Sequence, residues 1–87
     1  MQITITRKAK KDLEKIKTIK ALRDKVRELL DILETTPFQY PPDYEKLGGD
    51  LAGMYSRRIN IKHRLVYTVD EEKKEVKILS MWSHYEF

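Results

Sequence analysis

The spacing of hydrophobic and polar positions changes along the 87-residue chain, and each change marks a new element. Residues 2–5, Gln-Ile-Thr-Ile, alternate polar and β-branched apolar side chains, which predicts a short strand. Thr6 then stands where a helix cap is needed. From Arg7 to Lys17, Ala9, Leu13 and Ile16 recur at near-helical spacing with lysines and glutamates on the other side, so an amphipathic helix is expected. Thr18 breaks it, and a stronger stripe of Leu22, Val26, Leu29, Leu30 and Leu33 predicts a second helix over Ile19 to Glu34. Together they read as a helical hairpin. Thr35-Thr36-Pro37-Phe38 ends the second helix, because proline lacks the backbone donor and pushes its predecessor out of the helical region.

A loop is expected next. Pro41-Pro42-Asp43 and Gly48-Gly49 bracket Tyr44–Leu47, which sets Glu45 on or beside that loop. Residues 54–60, 63–70 and 75–81 read as three antiparallel strands with short polar connections. In the middle one Leu65, Tyr67 and Val69 share one face and Arg64, Val66 and Thr68 the other, as a two-residue period requires. Arg64 is thus directed away from the apolar stripe. Tyr55 and Ile59 look like core residues, so alternation sends Arg58 to the face of Arg64. The same counting puts Val76, Ile78, Ser80, Trp82 and His84 on the free face, with Leu79 and Met81 toward the core. The predicted class is α+β, order β-α-α-β-β-β, a small antiparallel sheet with the N-terminal helical hairpin packed on one face. Residues 1–87 are expected to form a single domain, since a chain of this length buries roughly two thirds of its unfolded surface and has no material for a second core.

Composition narrows this picture only a little. Without cysteine, disulfides and thiolate metal sites are excluded. The N-terminus lacks the basic start and apolar stretch of a secretory signal, and no window has the length of a membrane span, so a cytoplasmic protein is expected. Eighteen Lys and Arg against fourteen Asp and Glu give a net charge of +4, which favours polyanionic partners and also suits mere solubility.

Familiar enzyme signatures are missing: there is no phosphate-binding glycine loop, GxSxG elbow, HExxH or calcium loop. His63 and His84 are the only histidines, too few for a zinc site. Polar groups concentrate instead in the C-terminal half, at Glu45, Arg57-Arg58, His63-Arg64 and Ser83-His84-Tyr85. Taken as residues alone, Glu45 is a solvated loop acid, Arg57 and Arg58 are exposed or paired with an acid such as Asp50, His63 is a surface or capping residue, and Trp82 and Tyr67 belong to the core.

The run from Glu45 to Tyr67, EKLGGDLAGMYSRRINIKHRLVY, resembles the pattern ExLxxxLxGx[WY]SRRIxxxHRLVY of the YoeB/Txe toxins, a branch of the RelE group. Thr36-Pro37-Phe38 and His84-Tyr85 also match, and the resemblance covers roughly residues 26 to 85. The first twenty-five residues match only as strand and helix and lack the tryptophans of some members. Gly48 stands where some relatives have lysine, and Glu86-Phe87 extend past the usual end.

The resemblance implies a RelE-like fold and the toxin of a type II toxin–antitoxin system: a ribosome-dependent, metal-independent endoribonuclease that cuts mRNA in the decoding site through the RNA's own 2′-hydroxyl. It assigns Glu45 as general base and His84 as general acid, whose reference pKa of ~6.5 suits neutral pH. Arg64 becomes the cation that neutralises charge on the phosphate, while Arg58 and Tyr85 become RNA-binding residues. No cofactor is implied. The implied partners are a cognate antitoxin, the ribosome with its mRNA, DNA only through the antitoxin complex, and a second copy in a homodimer; no membrane is involved. Two other readings fit the same residues: a non-enzymatic basic module for RNA or ribosome binding, and a decayed toxin acting only in its antitoxin complex.

Overall fold

The computed structural model describes residues 1–82. Strand β1 (Gln2–Ile5) leads into helix α1 (Arg7–Lys17), which begins where predicted. Thr6 caps it: its hydroxyl accepts from the Ala9 amide at 3.3 Å and donates to the Ile78 carbonyl at 2.9 Å, so one side chain both starts the helix and ties it to the sheet. Thr18 closes α1 through its own amide and hydroxyl, the latter 2.7 Å from the Lys15 carbonyl. Helix α2 (Lys20–Thr35) follows and stops two residues before Pro37.

Four further strands complete one sheet: β2 (Tyr44–Lys46), β3 (Tyr55–Arg58), β4 (Arg64–Asp70) and β5 (Glu75–Ser80), in the order β1-β5-β4-β3-β2. The three predicted C-terminal strands pair antiparallel. Two features go beyond the predicted order. β1 lies parallel to β5, so the sheet is mixed at that edge. The segment expected as a loop around Glu45 is a strand, with Tyr44 opposite Arg57, Glu45 opposite Ser56 and Lys46 opposite Tyr55. Three residues are too few to show a period, and only the partner strand defines them. Between β2 and β3 a 3-10 turn at Gly49–Leu51 reverses the chain, and Gly53, at φ +90°, adopts a conformation that costs a residue without Cβ little.

Both helices pack on one face of the sheet. Ala9, Ile16, Leu22, Val26, Leu29 and Leu33 meet Ile59, Leu65, Tyr67, Val76, Ile78 and Met81 in one buried cluster, while Leu13 and Leu30 are half-buried at its margin. Each buried Leu or Ile contributes ~1.5–3 kcal/mol, which is what holds so short a chain together.

The alternation expected along β5 is corrected. Tyr67 faces Ile78 but Val66 faces Ser80, so Leu79 is an extra residue in β5, a bulge that reverses the side-chain parity. Val76 and Ile78 therefore lie in the core rather than on the opposite face, Leu79 is only half-buried, and Met81 returns to the core. Trp82 is half-buried against the same cluster. On the face away from the helices, Ser56, Val66 and Ser80 form a row across β3, β4 and β5, and all three are buried.

Candidate active site

Glu45 sits at the middle of the edge strand β2, and its register partner Ser56 shares a face with Val66 and hence with Arg64. The Glu45 carboxylate is 3.5 Å from the Arg64 guanidinium; the acid's side chain is 58% exposed and the arginine's 14%. The carboxylate is thus accessible while its partner is largely held by the fold.

Arg58 stands directly opposite Arg64. Two like charges at a cross-strand pair repel and destabilise the sheet. The hairpin between them is closely built: the Asn60 side chain accepts from the Lys62 and His63 amides at 2.8 and 2.7 Å, and the Ile59 and Asn60 amides both donate to the His63 carbonyl. This turn keeps both arginines at one position along the strands and leaves Ile61 95% exposed at its tip. A cleft of about 620 Å³ opens here, lined by Lys25, Pro42, Asp43, Tyr44, Glu45, Ser56, Arg58, Ile59, Asn60, Ile61 and Arg64. Three cations and two carboxylates face it, a setting suited to an anion near a base.

Arg57 corrects the expectation of an exposed or acid-paired residue. It is fully buried, with Nε donating to the Tyr67 hydroxyl at 3.1 Å, Nη1 to the Pro42 carbonyl at 2.6 Å, and Nη2 to the Pro37 and Gln39 carbonyls at 3.0 and 2.9 Å. Its guanidinium also lies 4.9 Å from the centre of the Tyr44 ring. Arg57 therefore fastens the loop before β2 and, through it, the strand that carries Glu45. The signal was present in the alternation: Tyr55 and Ile59 are expected in the core, so Arg57 between them points inward too. Burial pushes the Tyr67 phenol up from its usual value, although the Arg57 charge and hydrogen bond oppose this, and the hydroxyl stays a neutral acceptor.

His63 is likewise buried rather than at the surface. Its ring stacks on Trp82 with 4.1 Å between centroids, and Lys15 approaches the other ring system at 5.4 Å. Burial, with help from Lys62, lowers the His63 pKa below 6.5 against the pull of Asp12. Asp12, buried on α1, accepts from the Met81 amide at 3.0 Å and from Lys8 at 2.9 Å. Asp12 and His63 thus hold the chain where it leaves β5. Sequence reasoning missed Asp12, whose only signal was an acid at a helix position beside Ala9 and Ile16.

Of the five expected site residues, the fold brings together Glu45, Arg58 and Arg64; His84 and Tyr85 lie outside the described residues. Among the described residues no group of three or more His, Asp or Glu side chains is arranged to hold a metal ion, and no helix is long and apolar enough to cross a membrane.

Comparison with known proteins gives this arrangement a family. A family model for the YoeB-like toxin of bacterial type II toxin-antitoxin systems matches residues 6–85. Toxin YoeB of Synechocystis is 36% identical over 67 residues, covering 77% of this chain and 76% of that protein. The YoeB/ParE toxin from Agrobacterium tumefaciens superposes with a TM-score of 0.89 at 31% identity, covering 98% of this chain and all of that one. In the YoeB-YefM complex from Staphylococcus aureus, the similar chain has a TM-score of 0.83 and 38% identity over 98% of both, and that YoeB is also known as a dimer. The shared RelE-like fold and a family match that runs from residue 6 to residue 85 lead to one conclusion: the chain belongs to the YoeB-like toxins of bacterial type II toxin–antitoxin systems.

Proposed function

We propose that this toxin is a metal-independent endoribonuclease that cuts mRNA held in the ribosomal decoding site. The observation that carries this reading is the exposed Glu45 carboxylate 3.5 Å from Arg64, with Arg58 directly across the strand. A carboxylate at a rim of guanidinium groups is what internal attack by a ribose hydroxyl requires: a proton acceptor beside the site where phosphate charge grows.

Glu45 takes the proton of the 2′-hydroxyl, whose oxygen attacks the neighbouring phosphorus. Arg64 stabilises the charge on the non-bridging oxygens, and Arg58 holds an adjacent phosphate. His84 gives a proton to the departing 5′-oxygen, and Tyr85 orients a base. The products are a cyclic 2′,3′-phosphate and a free 5′-hydroxyl, with no co-reactant consumed. The ribosome supplies alignment of the RNA, so the isolated chain is expected to be a poor nuclease.

In this reading residues 1–87 act as one RelE-like domain in the cytoplasm, silenced by a cognate antitoxin, touching DNA only through that complex and able to pair with a second copy. The family membership and the S. aureus complex support the antitoxin partner.

The test is cleavage of a defined mRNA on programmed ribosomes with both new ends mapped. Cuts in decoding-site register with cyclic-phosphate ends are expected, and Glu45→Gln or His84→Gln should each slow them by roughly 10² to 10⁴ fold. Translation inhibition that survives both substitutions while Arg64→Ala weakens ribosome binding would instead establish a non-enzymatic basic module.

A further inference from the structure

The loop that enters β2 is more strongly held than a connection needs to be. Arg57 binds the carbonyls of Pro37, Gln39 and Pro42, which bracket Phe38 on both sides and then Tyr40-Pro41. The Thr36 hydroxyl and Gln39 side chain join at 2.8 Å, and the Gln39 amide nitrogen reaches the Pro41 carbonyl at 3.2 Å. With its backbone fastened in this way, the loop nevertheless keeps two rings in water: Phe38 is 37% exposed and Tyr40 67%. A loop serving only to connect gains nothing by displaying them.

Those rings continue into the cleft. Tyr40 meets Tyr44 edge-on at 6.3 Å, Tyr44 meets Tyr55 at 6.0 Å, and Phe38 meets Tyr55 at 5.4 Å. Tyr44 itself lines the cleft beside Glu45, Arg58 and Arg64. Edge-to-face packing against Tyr44 restrains the Tyr40 ring, most of which is exposed.

We propose that Tyr40, backed by Tyr44, is a stacking platform for an unpaired RNA base flanking the nucleotide whose scissile phosphate lies at Arg64; this rests on the endoribonuclease reading above. An RNA base fits better than a protein side chain for two reasons. The exposed rings of Phe38 and Tyr40 belong to an aromatic chain through Tyr44 and Tyr55 rather than to an aliphatic patch, and Tyr44 lines the cleft together with three cations, Lys25, Arg58 and Arg64. Every base has a π-face, so such a platform adds affinity with little sequence preference.

The test uses the full chain carrying Glu45→Gln and four-nucleotide RNAs with one 2-aminopurine at each position in turn. Stacking should quench the fluorescence at one label position; Tyr40→Ala should abolish that quenching and weaken binding about tenfold, and Tyr40→Trp should restore both. Tyr40→Leu, which keeps an apolar contact to Tyr44 but has no π-face, should behave like alanine and serves if the alanine variant is unstable. In chains retaining Glu45, Tyr40→Ala should raise KM on programmed ribosomes about tenfold, with a smaller change in kcat. If the unaltered chain cuts mRNA but Tyr40→Leu leaves quenching and KM as they were, the platform is overturned and the nuclease reading stands. If the unaltered chain cuts nothing, the nuclease reading fails and the quenching decides the platform on its own. Variants that bind RNA normally but bind the purified antitoxin more weakly would make the patch a protein contact and overturn the proposal.

Discussion

Arg57 and Arg58 are consecutive, identical in chemistry and opposite in circumstance. Arg57 is buried with its donors spread over three carbonyls and a phenol, all neutral. Arg58 is exposed and faces another arginine across the strand. The inward guanidinium has its hydrogen-bonding needs met by the fold, and its charge is tolerated because the acceptors are many. Among the described residues the outward pair has one ion pair, Glu45 with Arg64, and an incoming phosphate would offset the repulsion between the two arginines. Satisfied donors mark Arg57 as a structural arginine, while exposure beside a like charge is what suits Arg58 to the anion-binding role proposed for it.

Breaking the inward half should have the largest effect. Arg57→Ala strands three carbonyls and the Tyr67 hydroxyl, and is expected to cost about 3–5 kcal/mol in urea unfolding, most of the stability of a chain this size. Arg57→Lys should recover little, because one ammonium cannot reach acceptors on residues 37, 39, 42 and 67 together. Retention of wild-type stability by the alanine variant would end the view of Arg57 as the brace of the β2 loop.

On the outward side Arg64→Ala should lower single-turnover cleavage on ribosomes by about 10² to 10³ fold, as expected for loss of a transition-state donor, while leaving the unfolding free energy within ~1 kcal/mol of wild type. Equal losses of stability and activity would show that Arg64 belongs with Arg57 instead.

His63 sharpens the comparison through pH. Its folded pKa is lowered, mainly by burial, so the unfolded chain binds its proton first as pH falls below about 6.5. Its contribution is therefore fully present above the unfolded pKa and lost as pH falls through the folded one. Urea midpoints measured from pH 7.5 down to 5 should decline in that window for wild type and lose part of the slope in His63→Gln; identical slopes would refute the assignment.

The smallest effect is expected at Arg58. Arg58→Gln removes a like-charge pair and should raise stability by a few tenths of a kcal/mol, yet reduce the salt dependence of RNA binding by about one phosphate contact. A destabilised variant would mean that no repulsion exists at that pair.

Much of the frame was legible from local pattern. The stripe from Leu22 to Leu33 and the alternation of Arg64 to Val69 each carry their period within one element, and both recur in the buried cluster. Arg58 and Arg64 were placed on one face by the same counting. Glu45 was located only by resemblance and lies on a strand whose existence depends on pairing with β3. His63 was misplaced because nothing local announces Trp82 above it.

What the sequence by itself determined, then, is the helices, the three C-terminal strands and the direction of the two outward arginines, because each follows from the period of a single element. Tertiary structure alone decided the parallel pairing of β1 with β5, the strand at Tyr44–Lys46, the bulge at Leu79 and the acceptors that meet Arg57. The physical reason is common to all four. Each depends on hydrogen bonds to residues ten to seventy-odd positions away, and a pattern read along the chain holds no information about which distant partner will be there.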